Sequence, residues 1–136
     1  MSASMGQPET TPSGFAEEIG VEWVSLDPDD ARARIKVESR HLQPFGIVHG
    51  GVFASLAESL TSAATYGAVR EDGMVSMGQA NDTTFLRPIG EGYINASATP
   101  RHRGRTTWVW DVEITNDDGQ TCALARVTIA VRPRRS

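Results

Sequence analysis

The sequence predicts an α+β domain in which an antiparallel sheet wraps around one long helix. Three observations lead there. Ala31, Ala33, Ile35 and Val37 alternate with Arg32, Arg34, Lys36 and Glu38, the two-residue period of a strand with one wet face. A proline-free run from His49 to about Val69 carries its apolar residues at helical spacing. After Met74, four strand-like runs follow one another across short turn signals. Two strands, one helix and four more strands make an antiparallel meander around a single helix.

Taken in order, residues 1–12 are polar, small or proline and read as a flexible tail. Residues 13–133 form a single domain, and 134–136 a C-terminal tail. Phe15 and Ile19 lie one helical turn apart in a short helix closed by Gly20. Val21 to Leu26 is a strand, and Asp27-Pro28-Asp29-Asp30 a turn into the alternating strand. Ser39 to Val48 is a loop punctuated by Pro44 and Gly46. At 100° per residue Val52, Phe53, Leu56, Ala57, Leu60, Ala63 and Ala64 share one face of the long helix. The opposite stripe holds Ser55, Glu58, Ser59, Ser62 and Thr65, far fewer charges than a solvated face carries, so a second copy of the chain is expected over it. The later strands run over Val75–Leu86, Gly92–His102, Thr106–Thr115 and Thr121–Val131. Trp108 and Trp110 share a face.

Composition excludes several classes of function. With 136 residues, 39% of them apolar, the chain can bury one core without disulfides or structural metal. A net charge of −4 argues against a whole-surface nucleic-acid binder, leaving only a local basic patch. Cys122 stands alone, so no internal disulfide forms and a reduced compartment, the cytoplasm, is expected. No apolar run approaches membrane-spanning length, and the first residues lack a basic start and apolar segment, so no membrane and no secretion are expected. Asn81-Asp82-Thr83 and Asn95-Ala96-Ser97 then read as chance matches to the glycosylation pattern. There is no Gly-x-Ser-x-Gly elbow, no phosphate-binding glycine loop and no Cys-x-x-Cys. His41, His49 and His102 show no His-Glu-x-x-His spacing, so no metal is expected.

What remains is His41-Leu42-Gln43-Pro44-Phe45-Gly46-Ile47-Val48-His49-Gly50-Gly51, followed by Leu56-Ala57-Glu58-Ser59. With Phe85-Leu86-Arg87-Pro88 and His102-Arg103-Gly104-Arg105 before Trp108-Val109-Trp110, this stretch resembles the hotdog-fold acyl-CoA thioesterases. The resemblance is to the branch with the 4-hydroxybenzoyl-CoA thioesterase of the Arthrobacter type, the phenylacetate-pathway enzyme, and the 1,4-dihydroxy-2-naphthoyl-CoA and enterobactin-proofreading thioesterases. It covers about residues 20 to 133.

The resemblance implies a hotdog fold and no cofactor beyond the coenzyme A of the substrate. It implies Glu58 as nucleophile or general base, Gln43 as a carbonyl contact, His49 and Gly50 at the helix start, and Ser62 placing water. It also implies acyl or coenzyme A contacts at Gly78, Phe85, Leu86, Arg87 and Pro88, and at His102, Arg103, Gly104, Arg105, Thr106 and Thr107. Dimers, commonly paired into tetramers, are implied as well. The chemistry suits these groups: a thioester needs donors for a developing oxyanion and a carboxylate that attacks the carbonyl carbon or activates water.

Spacing adds a deduction. Gly50 and Glu58 are eight residues apart on one helix, about 12 Å along its axis, so one copy cannot bring both to one carbonyl. Two antiparallel copies can, with Glu58 of one facing Gln43, His49 and Gly50 of the other. Plainer roles stand beside these. Glu58 could be the one charge on a polar face, His49 a ring satisfying backbone groups, Gln43 an ordinary loop amide, and Gly50-Gly51 a tight helix entry. Ser55, Ser59 and Ser62 share a stripe suited to close packing. Arg87, Arg101, Arg103 and Arg105, with His102, could bind coenzyme A phosphates or be solvated strand ends. Arg132-Pro133-Arg134-Arg135 reads as a solvated tail.

Where some relatives carry Asn-Ala-Asn-His, this chain has Asp82-Thr83-Thr84-Phe85, so an aryl-hydroxyl contact through that histidine is missing and an apolar wall replaces it. An aromatic or medium-chain acyl group is expected. The alternatives to hydrolysis are a non-catalytic hotdog module that senses or carries acyl-CoA, which needs no carboxylate at the thioester, and a hotdog dehydratase, whose His-containing loop the segment does not match.

Overall fold

The computed structural model describes residues 11–135, so most of the tail expected over 1–12, and Ser136, lie outside the described residues. A four-residue helix, α1 (Phe15–Glu18), ends before Gly20, whose φ of 82° lets the chain turn directly into a strand. β1 (Val21–Asp27) and β2 (Asp30–Lys36) form a hairpin whose turn is tied by the Asp29 N–H donating to the Asp27 carboxylate at 2.9 Å. On β2 the alternation is realised residue by residue: Ala31, Ala33 and Ile35 are buried and their neighbours exposed.

The long helix, α2 (Gly50–Val69), touches every strand of the sheet. β3 (Met74–Phe85), β4 (Tyr93–Arg103), β5 (Thr107–Thr115) and β6 (Thr121–Pro133) follow it. All pairings are antiparallel, in the order β1-β2-β4-β5-β6-β3. The expected simple meander is therefore corrected: β4, β5 and β6 are consecutive, but β3 lies beyond β6 at the far edge. The 86–92 connection returns the chain past the ends of β6 and β5. It crosses at the start of α2, where Ile89 is buried and its carbonyl accepts the Val48 N–H at 2.8 Å. That crossing ties the loop before α2 to the sheet.

Phe53, Leu56, Ala57, Leu60 and Ala64 pack from α2 onto Ile35, Ile94, Trp110, Val112, Ile114, Val127 and Ile129. Small residues at Ala31, Ala33, Ala96 and Ala98 let the sheet come close to the helix. Two assignments to faces of the helix need correction. Thr65, expected on the outer stripe, is fully buried; its hydroxyl donates to the Thr61 carbonyl at 2.7 Å and accepts the Trp110 indole N–H at 2.9 Å. Ala63, expected inside, is half-buried and lines an open cleft. The curled sheet covers a wider and slightly rotated arc of the helix than the apolar stripe marks.

The tail reading of 132–135 is corrected too. Pro133 pairs with Met74, the Arg132 guanidinium donates to the Thr106 carbonyl at 2.7 Å, and Arg134 bonds both Gly73 and Tyr66. Arg134 holds the end of β6 against the helix, and Arg132 ties it to the β4–β5 turn. Among the described residues no helix is long and apolar enough to cross a membrane.

Candidate active site

The outer face of α2 lies along a cleft of about 930 Å³. Ser55, Glu58, Ser59, Ser62 and Tyr66 line it from the helix, Val75, Ser76, Asn81, Thr83 and Phe85 from β3, and Phe15, Trp23 and Arg134 close its other sides. Glu58 is the only carboxylate among these lining residues.

Glu58 is exposed and reaches toward β3. The Asn81 side-chain amide donates to the Ala54 carbonyl at 2.9 Å and to Glu58 Oε1 at 3.4 Å. The Thr83 hydroxyl donates to Asn81 Oδ1 at 2.7 Å. A Cβ placed on Gly78 would lie 2.7 Å from Glu58 Cδ and closer still to Oε2. One turn further along the helix, Ser62 lies 3.3 Å from the Ser76 hydroxyl, which itself donates to the Ser62 carbonyl at 2.9 Å. Two of these residues, Asn81 and Thr83, were passed over in the sequence as a chance glycosylation match. The available signal was a polar residue on the inward face of a strand. Burial alternates along that part of β3, so Asn81 and Thr83 point to the helix while Asp82 and Thr84 face out.

The start of α2 is built separately. The His41 ring is buried, accepting the Glu38 N–H at Nδ1 (2.9 Å) and meeting the Ile19 carbonyl with Nε2 (2.8 Å). Its carbonyl accepts the His49 N–H at 2.9 Å. Between them Gln43 to Ile47 closes a tight loop: the Gln43 N–H donates to the Ile47 carbonyl at 2.8 Å, and Gly46 takes a φ of 83°. His49 caps the helix, its Nδ1 accepting the Gly51 N–H at 2.8 Å. The Val52 N–H goes to the His49 carbonyl, whereas the Gly50 N–H has no partner among the described residues. That donor sits at the positive end of a 20-residue helix. The Phe85 ring lies against the side-chain position of Gly50, where a Cβ would come within 2.8 Å of it, and Phe85 also packs 6.1 Å from Phe53.

Within one chain, then, Glu58, Ser62, Gly78 and Phe85 gather at the cleft. Gln43, His49 and Gly50 gather at the helix start, and none of these three lines the cleft.

The basic residues divide further. Arg101 pairs with Asp111 at 3.4 Å, and Arg103 pairs with Asp29 while lying over the Trp108 ring. Arg87 and Arg105 have no ion pair among the described residues. Leu86 is exposed, and Arg87 and Pro88 follow it beyond the end of β3 near Cys122. His102, Gly104, Arg105, Thr106 and Thr107 surround the β4–β5 turn near Ala130. Those two places, at Cys122 and Ala130, are eight residues apart on β6, about 26 Å. One copy therefore does not present them as a single patch. Gly104 has a local role: a Cβ there would lie 2.7 Å from the Thr107 carbonyl, which accepts the Gly104 N–H. Cys122 is buried, and that burial pushes its thiol up, against smaller opposing effects of the Asn116 backbone and Arg87. A protonated thiol beneath the sheet is not a nucleophile.

Residues 45–123 match the family described as the thioesterase superfamily. The chain is 39% identical to Pseudomonas aeruginosa PA1618 over 115 residues, 85% of this chain and 79% of that one. The structure of a mutant of that protein, called a thioesterase, superposes with a TM-score of 0.86 at 34% identity over 98% of this chain and 95% of the other. The proofreading thioesterase EntH of Cronobacter turicensis is 34% identical over 122 residues, 90% of this chain and 88% of that one. The thioesterase HI1161 of Haemophilus influenzae superposes with a TM-score of 0.86 at 30% identity, over 100% of this chain and 93% of the other.

Proposed function

The chain belongs to the thioesterase superfamily, and from that premise we propose that it hydrolyses an aromatic or medium-chain acyl-CoA to the free acid and coenzyme A. The observation that carries the proposal is the seating of Glu58, the only carboxylate lining the cleft among the described residues, beside hydroxyl and amide groups. Acting as nucleophile, Glu58 adds to the thioester carbonyl, the C–S bond breaks, coenzyme A leaves as the thiolate, and water then cleaves the mixed anhydride. Acting as general base, it takes a proton from water as the water oxygen adds to the carbonyl carbon, and the tetrahedral adduct then collapses with the C–S bond breaking and coenzyme A leaving as the thiolate, which takes up a proton. Either route passes through a tetrahedral oxyanion that needs donors.

Those donors come from a second copy: the free Gly50 N–H and the Gln43 amide, with His49 holding the helix start in shape. Three features support a dimer with shared sites. The 12 residues of β3 form a sheet edge with no neighbour on one side among the described residues, and Met77 and Phe85 on it are half exposed. The helix face beside it is made of serines and one glutamate. Glu58 and Gly50 lie too far apart along one helix to serve one carbonyl. In such a dimer Phe85 forms the apolar wall between the acyl group and the helix start, and Ser62 stands where a hydroxyl can hold the attacking water. Of the arginines in the two strand connections, Arg87 of one copy and Arg105 of another form no ion pair among the described residues and are the ones offered to coenzyme A phosphates.

Thiol release from benzoyl-, 4-hydroxybenzoyl-, phenylacetyl-, naphthoyl- and straight-chain acyl-CoA tests the proposal. Wild type should turn over at least one of them, and Glu58→Ala should lose about 100-fold or more while Glu58→Asp keeps partial activity. Tight binding of acyl-CoA without turnover would instead fit a sensing module.

A further inference from the structure

The side chains that surround Glu58 form a seat whose parts depend on one another. Asn81 Oδ1 accepts the Thr83 hydroxyl proton at 2.7 Å. The Ala54 carbonyl can only accept, so the amide NH2 faces the helix. There one N–H meets the Ala54 carbonyl at 2.9 Å and the other points to Glu58 Oε1 at 3.4 Å. Ala54 is four residues before Glu58, so the amide is pinned to the very turn of α2 that carries the carboxylate. On the other side the strand backbone is bare at Gly78, beside an irregularity in the β3–β6 register between Gly78 and Ala80. The carboxylate lies in the space a Cβ would occupy.

We infer that Asn81 is a positioning residue for the Glu58 carboxylate, that Thr83 orients it for that task, and that Gly78 is glycine to make room for the carboxylate rather than to contact substrate. The inference rests on Glu58 being the acting carboxylate. A side-chain amide that can only donate in this direction restricts the rotational freedom an exposed glutamate otherwise keeps. At 3.4 Å the bond is long, as catalytic hydrogen bonds often are before substrate arrives, and it tightens when the carbonyl draws the carboxylate into line. Few other charges bear on this carboxylate. Among the described residues, the remaining titratable groups lining the cleft are Tyr66 on α2 and Arg134 after β6, bonded to each other at 2.8 Å, and the lining residues of α1, β1 and β3 add none.

The test compares wild type, Asn81→Asp, Thr83→Val, Thr83→Ser and Glu58→Ala, using the acyl-CoA that wild type turns over fastest. Asn81→Asp keeps the shape but puts a second carboxylate where the donor was. It should lower kcat about 10-fold or more at pH 7 and move the acid limb of the kcat/KM profile up by about one pH unit, with KM little changed. Thr83→Val removes the hydroxyl that holds Asn81 Oδ1, leaving the amide tethered on the helix side alone, and should cost about 3- to 10-fold in kcat, whereas Thr83→Ser should stay near wild type. An unmoved acid limb in Asn81→Asp, or Thr83→Val as active as Thr83→Ser, overturns the inference. If Asn81→Asp does not fold, the Thr83 pair decides alone. An active Glu58→Ala would instead overturn the function proposed for Glu58. An inactive one beside a wild-type pH profile in Asn81→Asp would remove only the seat.

Discussion

The two long faces of α2 obey different rules. The inner face sets Phe53, Leu56, Leu60 and Ala64 against six strands in a dry core, with its polar exceptions, Thr61 and Thr65, bonded back to the helix or to Trp110. The outer face has serines, one carboxylate and an open cleft, and its polar groups are bonded to β3 across that cleft. The first face stores stability. The second holds polar groups that an isolated chain leaves partly unused, so substitutions on the two faces should separate stability from activity.

The largest separation should come from Leu60 and Glu58. Leu60→Ala leaves a cavity under the sheet and should cost about 2–5 kcal/mol in urea unfolding, while the folded fraction hydrolyses substrate at an unchanged rate per site. Glu58→Ala should do the reverse, with an unfolding midpoint close to wild type and the hydrolysis rate lost. A more modest effect is expected at Thr65, where valine keeps the volume but orphans the Trp110 N–H in the core, costing about 1–3 kcal/mol with little change in kcat. Gly78→Ala should fold with a wild-type melting temperature, because only the flexible end of Glu58 has to move, yet lower kcat about 3- to 10-fold. A KM effect alone would return Gly78 to substrate contact. Smallest of all, the Cys122 thiol should resist alkylation at pH 8 in the native state and react once the chain is unfolded, since burial raises its pKa.

The same contrast explains what could be read from the residues beforehand. Local patterns reached the inner face: the two-residue period gave β2, the helical period gave α2 to within a residue at each end, and turn chemistry gave Asn116-Asp117-Asp118-Gly119, where the Asn116 side chain accepts two backbone N–H groups. What periodicity does not carry is which strands become neighbours, so the place of β3 at the far edge was missed. Nor does a helical wheel know how far a sheet will curl, which misplaced Thr65 and Ala63. At the site, the pattern from Gln43 to Glu58 pointed to the two chemical groups but not to their surroundings. Asn81 and Thr83 become visible only when β3 is laid beside the helix. The arginines of the two strand connections read as one set in sequence and stand about 26 Å apart on the sheet.

The account turns on Glu58 of one copy meeting Gln43 and Gly50 of another, and mixing two crippled chains tests that meeting directly. Glu58→Ala and Gln43→Ala protein are combined in equal amounts under conditions that let subunits exchange, and thiol release is followed with time. A mixed dimer has one site with both lesions and one with neither, so activity should rise from near zero toward about a quarter of the wild-type rate. Mixed dimers, verified as such, that stay as inactive as their parents would place each site within a single chain and end the shared-site account.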